Sequence, residues 1–451
     1  MLVSKSLRLV SFALMCVAPV FYVSASASSY HFTNGHVVTM TGEGSRSAEV
    51  LVTSDRIVAI GSNLPIPADT ISINLEGGYL MPGLAEMHAH VPATSQGQQY
   101  RDDVLFLYLA NGITTIRGML GVPAHLELKE SLISREVLGP RLITSGPSFN
   151  GNSVSSPKQA ARMVEAQFQA GYDFLKIHPG VKLDEYDAIV ATAKRLGIPF
   201  AGHVPAEVGL LHALSSGQAT IDHLDGYVQA LVPGLNNETS GIFAFGLTPR
   251  ADTDQITAVV TATRKAGSAV VPTQTLLENF AAVGNLEKVI KRPQNVYLPP
   301  QLLKNYTRRL SANGSGLTPR SAARFLELRN RLIRELHGGG VRLLLGSDAP
   351  QVFNVPGFSA HRELGALVDA GLNPFEALLT GTRNPAEFFG MGTEFGTLEI
   401  GTSADMVWLR ADPQLDIDNT TSIQGVMVRG LWLDRSSLDT GLREIADRYA
   451  Q

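Results

Sequence analysis

The strongest constraint in this chain is a repeated alternation of short apolar runs with helical segments through its central part. Eight apolar runs, most of which start with Gly or Pro or directly follow one, cover residues 79–90, 113–117, 141–145, 174–178, 199–203, 220–223, 269–273 and 341–347. Helical patterns lie between them, for example over 157–170, 184–196, 207–216, 255–266 and 321–337. This alternation predicts parallel βαβ units. Eight units match the size of a (β/α)8 TIM-like barrel, with a doubly wound open sheet as the alternative.

Both ends of the chain have the pattern of short strands separated by turns that contain Gly or Asp. The strand patterns cover 31–33, 35–40, 48–52 and 56–61 near the beginning, and 396–401, 405–409 and 423–428 near the end. Because two β-rich ends bracket one long middle, we expect a small composite β-sandwich domain formed by residues 28–80 and 390–451. The barrel, residues 81–389, would be inserted into it, with irregular or helical cover over its mouth from part of 229–320.

The first 27 residues have the pattern of a secretory signal peptide. Lys5 and Arg8 precede an apolar run over 9–21, and an Ala-Ser-Ala cleavage pattern follows at 25–27. We expect cleavage after residue 27, which makes the mature protein secreted or periplasmic, without stable membrane association. A single membrane anchor is the alternative, although the apolar run is shorter than the ~20 residues that a spanning helix needs.

The composition limits the chemistry that a site can use. The chain has 37 Lys and Arg residues against 41 Asp and Glu residues, scattered without blocks of one sign, so a nucleic-acid-binding groove is not expected. Cys16 is the only cysteine and lies within the predicted signal peptide. The mature chain therefore has no disulfide, and a metal ion would need His, carboxylate or lysine-derived ligands.

Polar residues stand at the carboxyl ends of the apolar runs, where barrel enzymes place their active sites. His88 and His90 end the first run and, at positions i and i+2 of a strand, point to the same side. Later runs end with Lys176, His178, His203, His223 and Asp348. Lys176 is the least ordinary, since an ammonium group is costly to bury without a partner. Packing alone rarely places such residues at one end of so many separate units.

The order and spacing of these residues resemble the metal-dependent amidohydrolase superfamily, specifically its imidazolonepropionase-like and prolidase-like branch. The resemblance covers nearly the whole mature chain. It rests on Met81-Pro82-Gly83-Leu84, His88-Ala89-His90, Gly112-Ile113-Thr114-Thr115-Ile116-Arg117, Lys176, His203, His223, Gly346-Ser347-Asp348, and the ending Gly396-Thr397-Leu398-Glu399-Ile400-Gly401 with Ala404-Asp405.

The resemblance implies a binuclear metal centre. The ligands it implies are His88, His90 and Asp348 for one divalent ion, His203 and His223 for the second, and Lys176, carboxylated by carbon dioxide, as the bridge. Zinc is the expected metal, with manganese, cobalt or iron as alternatives. The implied reaction is hydrolysis of an amide C–N bond by a metal-bridging hydroxide, in a small molecule such as a dipeptide or an N-acyl amino acid.

The resemblance also implies roles for residues beside the metal ligands. Asp348 would take the hydroxide proton and pass it to the leaving nitrogen, and Tyr227 would contact the scissile carbonyl group. His178 would either contact the substrate or support Lys176. Arg117 and His361 match patterns of the branch and would either bind substrate or hold neighbouring groups in place.

Other functions remain open at this stage. Lactone or carbamate hydrolysis would use the same residues, and deamination of a heterocycle at a single metal is the alternative reaction. Such deaminases usually have a glutamate directly after the histidine of the fifth strand, whereas Glu207 lies four positions beyond His203. A metal-free scaffold is a further alternative, disfavoured because all six ligand residues are present. Formation of a homo-oligomer is left open.

Overall fold

The computed structural model describes residues 29–235, 242–313 and 317–450. The predicted signal peptide, residues 1–27, lies outside these ranges. Within them, no helix combines the length and the apolar character needed to cross a membrane.

Seventeen strands are present in the described residues. They are β1 (Ser29–Thr33), β2 (His36–Val37), β3 (Arg46–Ser47), β4 (Glu49–Thr53), β5 (Arg56–Gly61), β6 (Ile71–Asn74), β7 (Tyr79–Pro82), β8 (Leu84–Ala89), β9 (Ile113–Gly118), β10 (Arg141–Thr144), β11 (Leu175–Ile177), β12 (Phe200–Gly202), β13 (Thr220–Asp222), β14 (Ala269–Val271), β15 (Met406–Leu409), β16 (Ile423–Val428) and β17 (Leu431–Asp434).

Helices separate most of the central strands. They are α1 (Gln98–Ala110), α2 (Ala124–Ile133), α3 (Pro157–Ala170), α4 (Leu183–Leu196), α5 (Leu210–Ser215), α6 (Tyr227–Ala230), α7 (Ile256–Ala266), α8 (Gln274–Phe280), α9 (Leu286–Ile290), α10 (Pro300–Asn313), α11 (Pro319–Gly338), α12 (Phe358–Ala370), α13 (Pro374–Gly381), α14 (Arg383–Phe388) and α15 (Arg435–Tyr449). Short 3₁₀ helices cover Thr94–Gln96, Ile242–Arg250, Thr253–Gln255, Pro293–Tyr297 and Ile417–Thr421.

The central strands form parallel sheets, as the alternation predicts. One sheet has the order β10-β9-β8 and another the order β11-β12-β13-β14, and all their pairs are parallel. Each strand is almost wholly buried, which explains why these runs are rich in apolar residues on both faces rather than alternating between apolar and polar ones. The central part of the chain is therefore an α/β fold built on parallel strands.

Backbone contacts extend beyond these two sheets. A parallel bridge between Ser145 and Phe174 links the end of β10 to the start of β11. Another bridge pairs Val270 of β14 with Leu343, in the apolar run over 341–347. Leu345 of the same run accepts a hydrogen bond of 2.7 Å from the backbone N–H of Met87 in β8. The run thus lies between β14 and β8.

Strands from both ends of the chain meet in one six-stranded sheet. Its order is β17-β16-β15-β7-β2-β3, and a separate four-stranded sheet has the order β5-β4-β1-β6. Side chains from both sheets, such as Phe32, Val50, Leu80 and Met427, share one buried apolar cluster. The strand β7 also leads directly into β8, so the sheet is joined by a short connection to the parallel strands.

Two parts of the chain end differ from the strand pattern expected there. Residues 396–401 form turns rather than a strand, because Gly396 and Gly401 adopt φ angles of 95° and 97° that break an extended conformation. The chain then ends in helix α15, whose first turn is capped by the side chain of Asp434. Tyr449 in this helix donates a hydrogen bond of 2.6 Å to Asp103 of α1.

Candidate metal centre

Three side chains converge where β8 and the run over 341–347 end. The Nε2 atom of His90 lies 2.6 Å from Oδ1 of Asp348, and the Nε2 atom of His88 lies 3.6 Å from the same oxygen. Potential ligand atoms of all three residues lie within 4.8 Å of one another. Asp348 has a φ of 65°, an uncommon conformation for a residue other than glycine, which turns the chain sharply at this point. Two imidazoles and one carboxylate form a donor set suited to a divalent metal ion.

A second pair of histidines continues this group. The ring centroids of His203 and His223 lie 4.5 Å apart, and the ring of His223 also lies 4.5 Å from that of His88. His223 follows β13 with a φ of 63°. Burial is the largest cause that lowers the pKa of both His88 and His223 well below the usual range. Neutral imidazole is the form that binds a metal ion, so this environment favours ligation.

Three of these histidines have an oriented ring, because a neighbouring oxygen contacts the Nδ1 atom. The pairs are His88 with Asp222 at 2.8 Å, His203 with Asp225 at 2.6 Å, and His223 with Thr273 at 2.8 Å. In His203 and His223 a hydrogen bond occupies Nδ1 and leaves Nε2 as the nitrogen available to a ligand, whereas the approach of Asp222 to His88 is a close charge contact without hydrogen-bond geometry. Oxygen partners of this kind commonly orient metal-binding histidines. These three oxygen partners are not among the site residues predicted from the sequence, although Asp222 and Asp225 lie close to His223 in the chain.

Lys176 lies beside the histidines with its amine fully buried. Its Nζ atom has no hydrogen-bond partner within the described residues, and the nearest carboxylate oxygen, Oδ2 of Asp222, lies 4.0 Å away. Burial lowers the pKa of the Lys176 amine to about 8. A β-carbon at Gly202 would lie only 2.8 Å from Cδ of Lys176 and 2.6 Å from the carbonyl oxygen of Ile177, so glycine is needed for the lysine side chain to pass. A buried amine of low basicity without a partner fits a lysine that becomes carboxylated.

Arg117 lies within the protein interior and is fully buried. Its Nε atom donates a hydrogen bond of 2.6 Å to the carbonyl oxygen of Met87, and its Nη1 atom donates one of 3.2 Å to Thr220. Its Nη2 atom lies 3.4 Å from Asp222, which also accepts a hydrogen bond of 2.6 Å from Thr220. Arg117 therefore holds Asp222, the partner of His88, in place. The guanidinium group of Arg117 thus contacts protein groups, and the expected contact with substrate stays a prediction.

The polar side-chain atoms of Tyr227 and His361 also contact protein groups. Tyr227 is fully buried, and its hydroxyl oxygen lies 2.8 Å from Oγ1 of Thr263 in helix α7. The Nδ1 atom of His361 lies 2.9 Å from Thr420, and its Nε2 atom lies 3.0 Å from the carbonyl oxygen of Asn111. Both ring nitrogens of His361 are occupied, so this residue ties α12 to the C-terminal segment.

His178 remains with the histidine group. Its ring lies 4.9 Å from the ring of His203, and burial is the main cause that lowers its pKa to about 2. Its side chain is only partly buried, unlike that of Lys176. His178 is thus placed to contact a bound molecule as well as its neighbours.

Arg329 holds the backbone of this region from helix α11, a role that its sequence context does not indicate. Its guanidinium group donates hydrogen bonds of 2.7 Å to the carbonyl oxygens of both His223 and Pro272, and its Nε atom donates one of 2.8 Å to Gln274. Thr273, the partner of the His223 ring, has a φ of 48°. Arg329 therefore fixes two neighbouring turns with uncommon backbone conformations. In the sequence it is one arginine among several in an amphipathic helix, which gives no signal of burial.

The parallel α/β fold and the group of potential metal ligands can be compared with known protein families. The profile of the amidohydrolase family matches residues 79–433. The chain therefore belongs to the amidohydrolase family, which confirms the superfamily that the sequence motifs indicated. Among curated protein sequences, no match is found.

Solved structures with a similar fold include several hydrolases. A bottromycin amidohydrolase has a TM-score of 0.71 and 23% identity, with 93% of this chain and 90% of that chain covered. An Xaa-Pro dipeptidase with bound methionine has a TM-score of 0.66 and 19% identity, with 90% and 100% covered. A prolidase complexed with N-methylphosphonate-L-proline has a TM-score of 0.64 and 18% identity, with 90% and 100% covered. At these identities the similarity establishes the shared fold.

Proposed function

We propose that this protein is a binuclear metal-dependent hydrolase that cleaves an amide C–N bond in a small molecule. The observation that carries the proposal is the buried, unpartnered amine of Lys176 beside a contiguous group of four histidines and Asp348. An ordinary packing role gives no reason to bury that amine 4.0 Å from the nearest carboxylate oxygen. A carbamate on Lys176 that held two metal ions would give such a reason. Zinc is the metal that the donor set suits best.

The proposed ligands fall into two groups that share the bridge. His88, His90 and Asp348 would hold one ion, and His203 and His223 the other. The ions would supply a water molecule of lowered pKa and polarise the substrate carbonyl group. Within the chain, Asp348 would accept a proton at its carboxylate and deliver it to the leaving nitrogen.

The surrounding residues would keep the ligands in one geometry during this reaction. Asp225 and Thr273 fix the rings of His203 and His223 through Nδ1, and Arg117 fixes Asp222 beneath His88. Because these contacts exist within the protein itself, little reorganisation is needed when ions bind. We assign Arg117 this positioning role, and His178 a contact with the substrate.

The architecture proposed around this site is the one that the sequence pattern indicates. The seven parallel strands and the run over 341–347 would close into a (β/α)8 barrel, residues 81–389, with the site at its mouth. The two end sheets would form a composite β sandwich from residues 28–80 and 390–451. The protein would be exported, with residues 1–27 removed, to act in the periplasm or outside the cell. N-terminal sequencing of the exported protein tests that cleavage.

The substrate that we propose is an amide such as a dipeptide or an N-acyl amino acid. The fold is shared with an amidohydrolase, a dipeptidase and a prolidase, which act on bonds of this kind. Lactones and carbamates are alternative substrates of the same residues, to be included in the assays. A mononuclear deaminase is the second candidate, because the residues His88, His90 and Asp348 by themselves already form a three-ligand group.

Elemental analysis of protein purified without chelator tests the proposal. We expect about two metal ions per chain and turnover of at least one dipeptide or N-acyl amino acid. His203→Ala should lose one ion, whereas His212→Ala, at an exposed histidine paired with Asp187 at 2.7 Å, should lose none. One ion in the unaltered protein would favour the deaminase, and none would favour a scaffold.

A further inference from the structure

One segment near the site has an unusual charge for this chain. The cover segment, residues 281–313, contains a single acidic residue, Glu287, whereas the whole chain has a net charge of −4. Its basic residues are Lys288, Lys291, Arg292, Lys304, Arg308 and Arg309. A local excess of positive charge beside a site attracts anionic molecules and raises their association rate.

A row of aromatic side chains leads from the histidine group to this segment. The ring of Phe243 lies 5.7 Å from the ring of His223, and the ring of Phe280 lies 5.6 Å from that of Phe243. Phe280 is buried, and Phe243 is partly buried. Arg309 lies on helix α10, and its guanidinium carbon is 5.2 Å from the centre of the Phe280 ring. The row therefore presents an apolar surface next to a candidate ligand and ends at a cation.

Arg309 is available to an anion in a way that its neighbours are not. Its side chain is exposed, and no carboxylate of the described residues forms an ion pair with it. Arg308 donates a hydrogen bond of 2.7 Å to Asn305 on the surface of the same helix, and Arg292 donates one of 2.7 Å to Asn279. Of the three arginines of the segment, Arg309 is thus the one for which no described residue forms an ion pair or side-chain hydrogen bond.

Helix α10 is also tied to the loop that carries Asp348. Tyr306, one turn before Arg309, donates a hydrogen bond of 3.1 Å to the carbonyl oxygen of Pro350. Tyr306 contacts Phe353 as well, with ring centroids 5.6 Å apart. The face of α10 that carries Tyr306 and Arg309 is therefore anchored beside the candidate metal ligands rather than at a remote surface.

From these observations we propose that the site takes an anionic substrate, with an apolar group packed against Phe243 and Phe280 and a carboxylate bound by Arg309. The inference rests on the proposed function, because it assigns the substrate class of the same site. The amide would then be one whose leaving portion carries both an apolar group and a free carboxylate. The guanidinium group can donate two parallel hydrogen bonds to that carboxylate while it remains stacked on Phe280.

Binding and turnover are measured separately to test this assignment. The binding probes are 3-phenylpropionate and the neutral 3-phenylpropanol, neither of which contains a bond to hydrolyse, titrated calorimetrically into the metal-loaded protein. The turnover probes are dipeptides with a free or an amidated C-terminal carboxyl group. The variant is Arg309→Met, and Arg308→Met is the matched control because it removes the same charge from the adjacent position.

The unaltered protein should bind 3-phenylpropionate more tightly than the alcohol and should prefer the free dipeptide. Arg309→Met should weaken binding of 3-phenylpropionate and raise the KM for the dipeptide with a free carboxyl group by about fivefold to tenfold, with kcat little changed. Arg308→Met should retain the preference for the acid and for the free dipeptide. A preference that survives Arg309→Met, or no preference at all, overturns the assignment even if amides are hydrolysed. Binding that depends on Arg309 without hydrolysis of any amide would support the subsite and refute the proposed reaction.

Discussion

Replacing Lys176 with methionine separates a metal bridge from a structural ion pair. Methionine has a similar length and leaves an apolar side chain in a site where the lysine is fully buried. In the metal-free protein, the lysine Nζ atom has Asp222 at 4.0 Å as its nearest carboxylate and no hydrogen bond within the described residues. The substitution therefore removes a buried charge without breaking a close contact.

The pKa of Lys176 gives the size of the effect. Burial lowers it from the usual 10.5 to about 8, so the folded state holds the protonated amine at a cost of about 3 kcal/mol. Lys176→Met removes this cost and so gains stability. Part of the gain is offset because Asp222 loses a neighbouring cation, although it keeps Arg117 at 3.4 Å. At pH 7 we expect metal-free Lys176→Met to be more stable than the unaltered protein by about 1–3 kcal/mol.

The pH dependence of this difference follows from the direction of the shift. Below pH 8 the amine is protonated in both the folded and the unfolded state, so the full cost of burying it applies. Between about pH 8 and 10.5 the folded state releases the proton first, and the stability of the unaltered protein rises. The advantage of Lys176→Met should therefore disappear as the pH rises through this window.

Urea denaturation in chelator-treated buffer free of bicarbonate measures these free energies of unfolding. Lys265→Met, at an exposed position of α7, is the control for the lost charge. When zinc and bicarbonate are added at ~1,000 times the dissociation constant, the unaltered protein should gain about 4 kcal/mol, and Lys176→Met should gain little. If metal-free Lys176→Met were instead destabilised by about 2 kcal/mol or more and still bound zinc, Lys176 would be the ion-pair partner of Asp222 and not a bridge.

Three further substitutions probe the ligands and their supports. Asp348→Asn should lower turnover by about 10³-fold while elemental analysis finds most of the metal, because an amide oxygen still binds an ion but cannot carry a proton. Arg329→Met leaves two buried carbonyl oxygens without donors, so urea denaturation should show a loss of about 3 kcal/mol, partly recovered in Arg329→Lys. Burial lowers the pKa of His361 to about 4. As the pH falls from 6.5 to 4, the unfolded state therefore takes up a proton before the folded state does, and about 3 kcal/mol of stability is lost. His361→Gln should lack that part of the loss in parallel denaturation curves, and equal acid sensitivity would contradict the buried, neutral imidazole.

The candidate ligands could be predicted from the sequence because buried parallel strands leave a clear pattern. Each strand is a short, continuous apolar run, and the first polar residues after it mark its carboxyl end. His203 and His223 directly follow strands, whereas His88 and Lys176 lie within the last residues of theirs, and the structure brings the histidines into a contiguous group. The same reasoning predicted the parallel strands and most of the helices between them.

The partners of those ligands could not be found in this way, because they pair across strands. Asp222 is adjacent to His223 in the chain but contacts His88, and Asp225 contacts His203. The ring of His223 is oriented instead by Thr273, which lies between the following strand β14 and helix α8. Such pairs depend on strand register and on side-chain direction, neither of which a single sequence specifies.

Tyr227 illustrates a similar limit for a motif that depends on spacing. Its position four residues after His223 suggested a contact with a substrate carbonyl group. Gly226, with a φ of 81°, turns the chain so that helix α6 begins at Tyr227. The side chain then lies in the interior, where its hydroxyl group pairs with Thr263. A turn of one residue is enough to redirect a side chain, and spacing alone does not record it.

The fold accepts an unfavourable charge at Lys176, and the proposed reaction supplies a reason for it. As an ammonium group, Lys176 adds to the effect of burial in lowering the pKa of His88, and its positive charge opposes the entry of a metal cation. Its own pKa of about 8 keeps a fraction of the amine neutral near physiological pH, and only the neutral amine reacts with carbon dioxide. Carboxylation would reverse the sign of the charge and add two oxygen donors at the centre of the histidine group. A group that costs stability as a buried cation and that would bind two metal ions once carboxylated is what would separate this lysine from a packing residue.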